Sequence, residues 1–307
     1  MKILFIGTVE FSRRCLRALR AAGHDPALVV TMPETDGRTR HSDWADLSAE
    51  AEGIEVKRWS DLTHPADRAF LVSQDFDLVL VCGWSRLLPT YLAPNMVGSH
   101  PTMLPKGRGR HPIPWSIILG NGEWSGLTFF RLVAEPDAGP ILWQRSLPRE
   151  IPETQFLLHA SHVYERVCWL GEYGIGEVVR RVEVGDSGMP QDEARAFWWP
   201  KRCEEDNRVD WTRAETAARL VRAMSRPYGG AWSEIQKAPE KILTLGASLI
   251  RWWRVNSWNS HGLIAPPGTV QGVFDEVLYV ATGDGWVAFS EWTLPEGHAL
   301  RPGMRLS

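Results

Sequence analysis

Three short runs, KILFI ending at Ile6, ALVVT at 27–31 and LVLVC at 78–82, are apolar almost throughout. A strand with one wet face alternates apolar and polar residues, whereas a strand covered on both faces does not, and that second pattern belongs to parallel sheets. After the first run, Phe11, Cys15, Leu16, Leu19 and Ala22 recur at helical spacing on one face. Apolar strands alternating with helices predict an α/β fold with a doubly wound, mainly parallel, Rossmann-like sheet. Ligands of such sheets sit outside the carboxyl ends of the strands, so the loops after Ile6, Cys82 and His100 are the ones to watch.

The second half reads differently. Residues 153–182 carry Phe156, Leu157, Val163, Val167, Leu170, Ile175 and Val178 in a helical pattern interrupted by Gly171, Gly174 and Gly176. GDSGMPQDEA within 183–200 reads as a connector. Thr212 with Glu215 predicts a capping box opening a helix through Met224. Beyond residue 230, short alternating segments such as LIRWW, GTVQGVF and VLYVATGDGWVAFSEW predict a small antiparallel β-barrel of the OB-like kind. The organisation expected is a catalytic domain over 1–183, a linker over 184–211 and a barrel domain over 212–307, within the two-domain range for 307 residues.

Several function classes are disfavoured. The net charge is −3, so no global basic field gathers nucleic acid or an anionic membrane surface. No run approaches the roughly 20 apolar residues needed to span a bilayer, and MKILFIGT is too short for a secretory leader, so a cytoplasmic location is expected. Cys15, Cys82, Cys168 and Cys203 form no C-x-x-C pair, which indicates neither a metal site nor a disulfide framework. G-x-G-x-x-G and the P-loop pattern are both missing.

Chemistry concentrates in GSHPTMLPKGRGRHPIPWSI, residues 98–117. Pro101 biases His100 toward extended backbone, and Pro105, Pro112 and Pro114 stiffen the loop behind it. A fixed histidine at a strand end is a candidate proton carrier, against the commoner reading of a structural residue satisfied by backbone. Asp137, in EPDAGPI, either caps its own turn or points into a cleft. Lys106, Arg108 and Arg110 offer charge for a phosphate or carboxylate, with Gly107 and Gly109 allowing close approach of backbone. The other reading is a solvated surface loop.

Taken in order, F-I-G-T at 5–8, V-V-T at 29–31, L-L-P at 87–89, H-P-T-M-L-P-K-x-R-G at 100–109, P-I-P-W at 112–115, G-L-T at 126–128 and D-A-G-P-I at 137–141 resemble the formyltransferase family. That family includes methionyl-tRNA formyltransferase and the sugar N-formyltransferases. WWPKRCEEDNRVDW at 198–211 and RPYGGAW at 226–232 extend the resemblance across nearly the whole chain. It implies transfer of a formyl group from N10-formyltetrahydrofolate, without a metal, to a primary amine. His100 and Asp137 match two of the family's three catalytic positions. Trp84, Leu87 and Leu88, with Gly98 and Asp137, fall where family members hold the folate, and Thr102, Lys106, Arg108 and Arg110 are expected on the acceptor side. For Leu87 and Leu88, simple closure of the core is the alternative.

The chain departs from the pattern at one catalytic position. Where the family has an asparagine whose amide supports the oxyanion, this chain has Gly98. A protonated His100, or a water in the amide's place, is the expected substitute, with Ser99 and Asn95 as lesser candidates. The favoured acceptor is a small nucleotide-linked amino sugar, because the stretch after the second strand is short and of mixed sign. N-hydroxyornithine, methionyl-tRNA and a catalytically degenerate binding module are the alternatives. No nucleic-acid or membrane partner is favoured, and a homodimer is possible.

Overall fold

The computed structural model describes residues 1–40, 43–62, 64–120, 124–147, 158–236, 249–261 and 265–307. The chain begins with β1 (Ile3–Ile6), α1 (Glu10–Ala21), β2 (Leu28–Thr31), α2 (Glu34–Arg40), β3 (Glu55–Arg58), α3 (Pro65–Ser73) and β4 (Leu78–Val81). It continues with β5 (Asn95–Thr102), β6 (Arg108–Gly109), α4 (Pro112–Ile118), β7 (Ser125–Arg131), β8 (Ile141–Ser146), α5 (Ala160–Glu183) and β9 (Trp198–Trp199).

The large sheet has the order β3-β2-β1-β4-β5-β7-β8, parallel from β3 through β5 and antiparallel beyond. Every residue of β1, β2 and β4 is buried, which is why their runs carry no polar alternation. From β1 the chain winds to one edge and returns to β4 on the other side, so the topological switch lies at the ends of β1 and β4. Ser12 ties those ends together. Its hydroxyl accepts from the Thr8 and Val9 N–H groups and donates to the Cys82 carbonyl.

The amino end of α1, where a Rossmann fold would cradle phosphate, is taken by the chain's own groups. Asp43 accepts from the Glu10 N–H, while the Tyr164 hydroxyl accepts from the Phe11 N–H and donates to Asp43. Burial, reinforced by the Asp43 charge, pushes the Tyr164 hydroxyl far above its ordinary range. This agrees with the missing G-x-G-x-x-G. The predicted long helix is α5, continuous through its glycines, and residues 153–157 of the prediction lie outside the described residues. A Cβ at Gly171 would stand 2.5 Å from Phe11, and one at Gly174 would stand 3.0 Å from Trp143, so these glycines are where α5 packs closest.

A separate antiparallel sheet follows α6 (Ala214–Met224). It comprises β10 (Ala231–Glu234), β11 (Leu249–Asn259), β12 (Val270–Phe274), β13 (Val277–Ala281) and β14 (Trp286–Thr293), in the order β10-β11-β14-β13-β12. Ile235 and Thr269, beside the two edge strands, bridge to Leu306 and Arg305, so the last residues draw those edges together. Trp211, Trp252 and Phe289 form its aromatic centre. The predicted capping box does not form. The Arg213 N-cap makes no side-chain cap bond, the Ala214 N–H donates to Asp284 at 2.8 Å, and Glu215 pairs with Arg219. Main-chain contacts divide the chain into one unit of Met1–Pro112, Glu123–Pro148 and Tyr164–Pro200, and another of Ile113–Gly122, Arg149–Val163 and Lys201–Ser307.

Candidate active site

β5 carries Gly98, His100 and Thr102 on one face, as strand alternation requires, and His100 is 6% exposed. Its Nε2 lies 2.8 Å from the Gly107 carbonyl, which selects the tautomer protonated at Nε2 and leaves the Nδ1 lone pair free. Nδ1 faces Asp137 Oδ1 at 3.8 Å. The two groups, 37 positions apart in sequence, therefore meet. A ring protonated at both nitrogens has an acceptor before each of them, one carbonyl and one carboxylate.

Asp137 sits in the left-handed region, with φ 56°, and its other carboxylate oxygen accepts from the Gly109 N–H at 2.9 Å. Gly109 has φ 102°, and a Cβ there would stand 2.4 Å from the Trp199 carbonyl, so β9 packs on β6 only because that position lacks a side chain. Trp199 in turn packs with Trp124 and Phe197, closing one side of the loop with aromatic rings.

The acceptor-side candidates separate. Thr102 is fully buried, with its carbonyl accepting from the Thr128 hydroxyl. Arg108 is 1% exposed, and its guanidinium donates to Gln191 and Glu193, holding the Glu193 carboxyl below the usual carboxylate range. Lys106 is half-buried and Arg110 exposed, and neither has an ion-pair partner among the described residues. On the folate side, Leu88 and Trp84 are partly buried against the sheet core, while Leu87 is 77% exposed. The Trp84 indole N–H is buried with no acceptor among the described residues. That orphan donor and the uncovered leucine fit a flat, polar-edged ligand such as a pterin.

Position 98 is filled from outside. A Cβ built there would lie 2.6 Å from Leu132 Cδ2 and 3.4 Å from Phe130 Cζ, so a side chain at 98 requires the end of the Leu132 side chain to shift. The lesser candidates are engaged: the Ser99 hydroxyl donates to the Val81 carbonyl, and Asn95 is held by Arg131 and the Asp77 carbonyl. Leu132, Gln191 and Glu193 belong to the site's surroundings and carry no sequence signal, since each reaches it through the fold. Thr128 and Gln144 lie inside or beside the family motifs, and they bond each other and the Leu104 backbone. Among the described residues no cluster of His, Cys, Asp or Glu is arranged to hold a metal, and no helix is long and apolar enough to cross a membrane.

Comparison with known proteins identifies the family. The formyl transferase family model matches residues 1–179, and the model for the formyl transferase C-terminal domain matches 203–303. A methionyl-tRNA formyltransferase from Thiobacillus denitrificans is 31% identical over 301 residues, covering 95% of this chain and 91% of its own. Among solved structures, HypX from Aquifex aeolicus in complex with tetrahydrofolic acid aligns with TM-score 0.63 and 23% identity over 96% of this chain, which spans 44% of that protein. An N-formyltransferase from Helicobacter canadensis in complex with folinic acid and dTDP-3-aminofucose aligns with TM-score 0.66 and 13% identity, covering 95% of this chain and 100% of its own.

Proposed function

The chain belongs to the formyl transferase family and is an N10-formyltetrahydrofolate-dependent N-formyltransferase; from that premise we propose that His100 and Asp137 carry its proton transfer and that a nucleotide-linked amino sugar is its acceptor. The bound donor supplies the electrophilic formyl carbon. Trp84, Leu87, Leu88 and the main chain around Gly98 would hold it. As the acceptor nitrogen bonds to that carbon, His100 Nδ1 takes a proton from the nitrogen, and the carboxylate of Asp137 stabilises the resulting imidazolium. The same imidazolium returns its proton to the departing folate nitrogen, and as the cation nearest the reacting centre it supports the oxyanion that no residue at 98 can reach.

One observation supports the choice of acceptor: six arginines of the C-terminal unit are paired or buried, and the exposed Lys201, Arg213, Arg254 and Arg301 fall short of a usual phosphate footprint. Arg208, Arg219, Arg226 and Arg251 pair with glutamates, while Arg202 and Arg222 are buried beside Trp115 and Trp258. Nucleic acid binding draws its affinity from many free cations facing phosphates, commonly about 6–10 contacts. Lys106 and Arg110 beside the catalytic loop suit the diphosphate of a small acceptor instead. Methionyl-tRNA is the second reading, favoured by the acceptor in the sequence relative's name.

The test is product identification by mass spectrometry after incubation with N10-formyltetrahydrofolate and a panel of dTDP-, UDP- and GDP-linked amino sugars, N-hydroxyornithine and methionyl-tRNA. Formylation confined to a nucleotide sugar is the expected result. Preferential formylation of methionyl-tRNA would overturn the acceptor assignment and leave the chemistry of the site standing.

A further inference from the structure

We propose that Gln191, a residue of the connector, is a positioning residue for the carboxylate of Asp137, an inference that rests on the catalytic reading above. Its amide nitrogen donates to the carbonyls of both Asp137 and Gly139, each at 2.8 Å. Its amide oxygen accepts from Arg108 Nε and Nη2 at 3.2 and 2.8 Å. Both N–H groups and the carbonyl oxygen of the side chain are therefore engaged, which fixes its orientation.

These bonds close a ring. Asp137 Oδ2 binds the Gly109 amide, Gly109 follows Arg108 in the chain, Arg108 binds Gln191, and Gln191 returns to the Asp137 carbonyl. Asp137 is thus held at its carboxylate and at its backbone by one connected set of partners. It needs such holding, because a non-glycine residue at φ 56° keeps that conformation only when its surroundings over-determine it. A further anchor lies outside the ring: Glu193 binds the remaining face of the buried Arg108 guanidinium from the same stretch of chain. Gln191 makes no hydrogen bond to the ring of His100 and reaches the pair through Asp137, with the buried Arg108 as its other partner.

Two variants separate positioning from mere support. Gln191→Met keeps the shape and removes every hydrogen bond. Gln191→Glu keeps the bond to Arg108 but aims a carboxylate at the two carbonyls that the amide nitrogen now binds. Displacement of a reacting group by about 1 Å costs up to about 100-fold in rate. The expected result is that both variants lose about 30- to 100-fold in kcat per folded molecule, with KM for the formyl donor within about threefold of wild type. Wild-type kcat in Gln191→Glu, or in Gln191→Met, would overturn the proposal, as would a loss appearing in KM alone. Should Gln191→Glu fail to fold, the uncharged Gln191→Met decides. Asp137→Asn is measured alongside. If that variant keeps wild-type activity the catalytic reading itself fails, whereas its inactivity beside fully active Gln191 variants condemns only the present inference.

Discussion

Leu132 stands where the side chain of residue 98 would begin, so any larger residue there must displace the end of that half-buried leucine. Restoring the family's asparagine is therefore not a simple repair. Gly98→Asn forces extra atoms against Leu132 and Phe130, and overpacking of this kind costs about 1–3 kcal/mol. We expect a lower melting temperature and reduced formyl transfer for Gly98→Asn, with melting recovered in the double variant Gly98→Asn, Leu132→Ala. Unchanged melting of the single variant, read by circular dichroism, would show that Leu132 moves aside freely. The neighbouring pair is held differently, by main chain: Gly107 fixes the histidine ring and Gly109 the aspartate.

At the scale of elements, α6 shows how a local reading is overruled by distant chain. Thr212 and Glu215 have the spacing of a capping box, yet Asp284, between β13 and β14, takes the Ala214 N–H and also accepts from the Thr282 hydroxyl. Burial opposes its ionisation, but these bonds hold the Asp284 carboxyl below its ordinary range. A depressed folded-state pKa means the contribution is complete above the unfolded value of about 3.9 and is lost as the pH falls through the lower folded value. Asp284→Ala is expected to cost about 1 kcal/mol at neutral pH and progressively less at acid pH, measured by denaturant titration. An equal cost at neutral pH and at a pH well below the folded value would show that something other than the charged cap is lost. The strands were legible because complete burial erases alternation, and β1, β2 and β4 are buried at every position. Asp284 was not, because nothing within one helical turn of Ala214 marks it.

For the molecule as a whole, the approach of Asp137 to His100 was legible because ordered motifs carried both residues, while the supports were not. Gln191 sits in a stretch with the composition of a connector, and Arg108 reads as a ligand-binding cation from its motif, although its buried guanidinium is spent on the exposed Glu193. The balance of charge was readable from composition, but how the arginines are spent was not: six in the C-terminal unit are paired to glutamates or buried, while Lys201, Arg213, Arg254 and Arg301 face outward. The central claim is that His100 and Asp137 work as one proton-handling unit, and a double-mutant cycle on formyl transfer tests it most directly. With the best acceptor from the panel, His100→Ala and Asp137→Asn are each predicted to lose about 100- to 10,000-fold in kcat, and the double variant no more than the worse single one. Either single variant retaining near-wild-type turnover, or losses that multiply in the double variant, would contradict it.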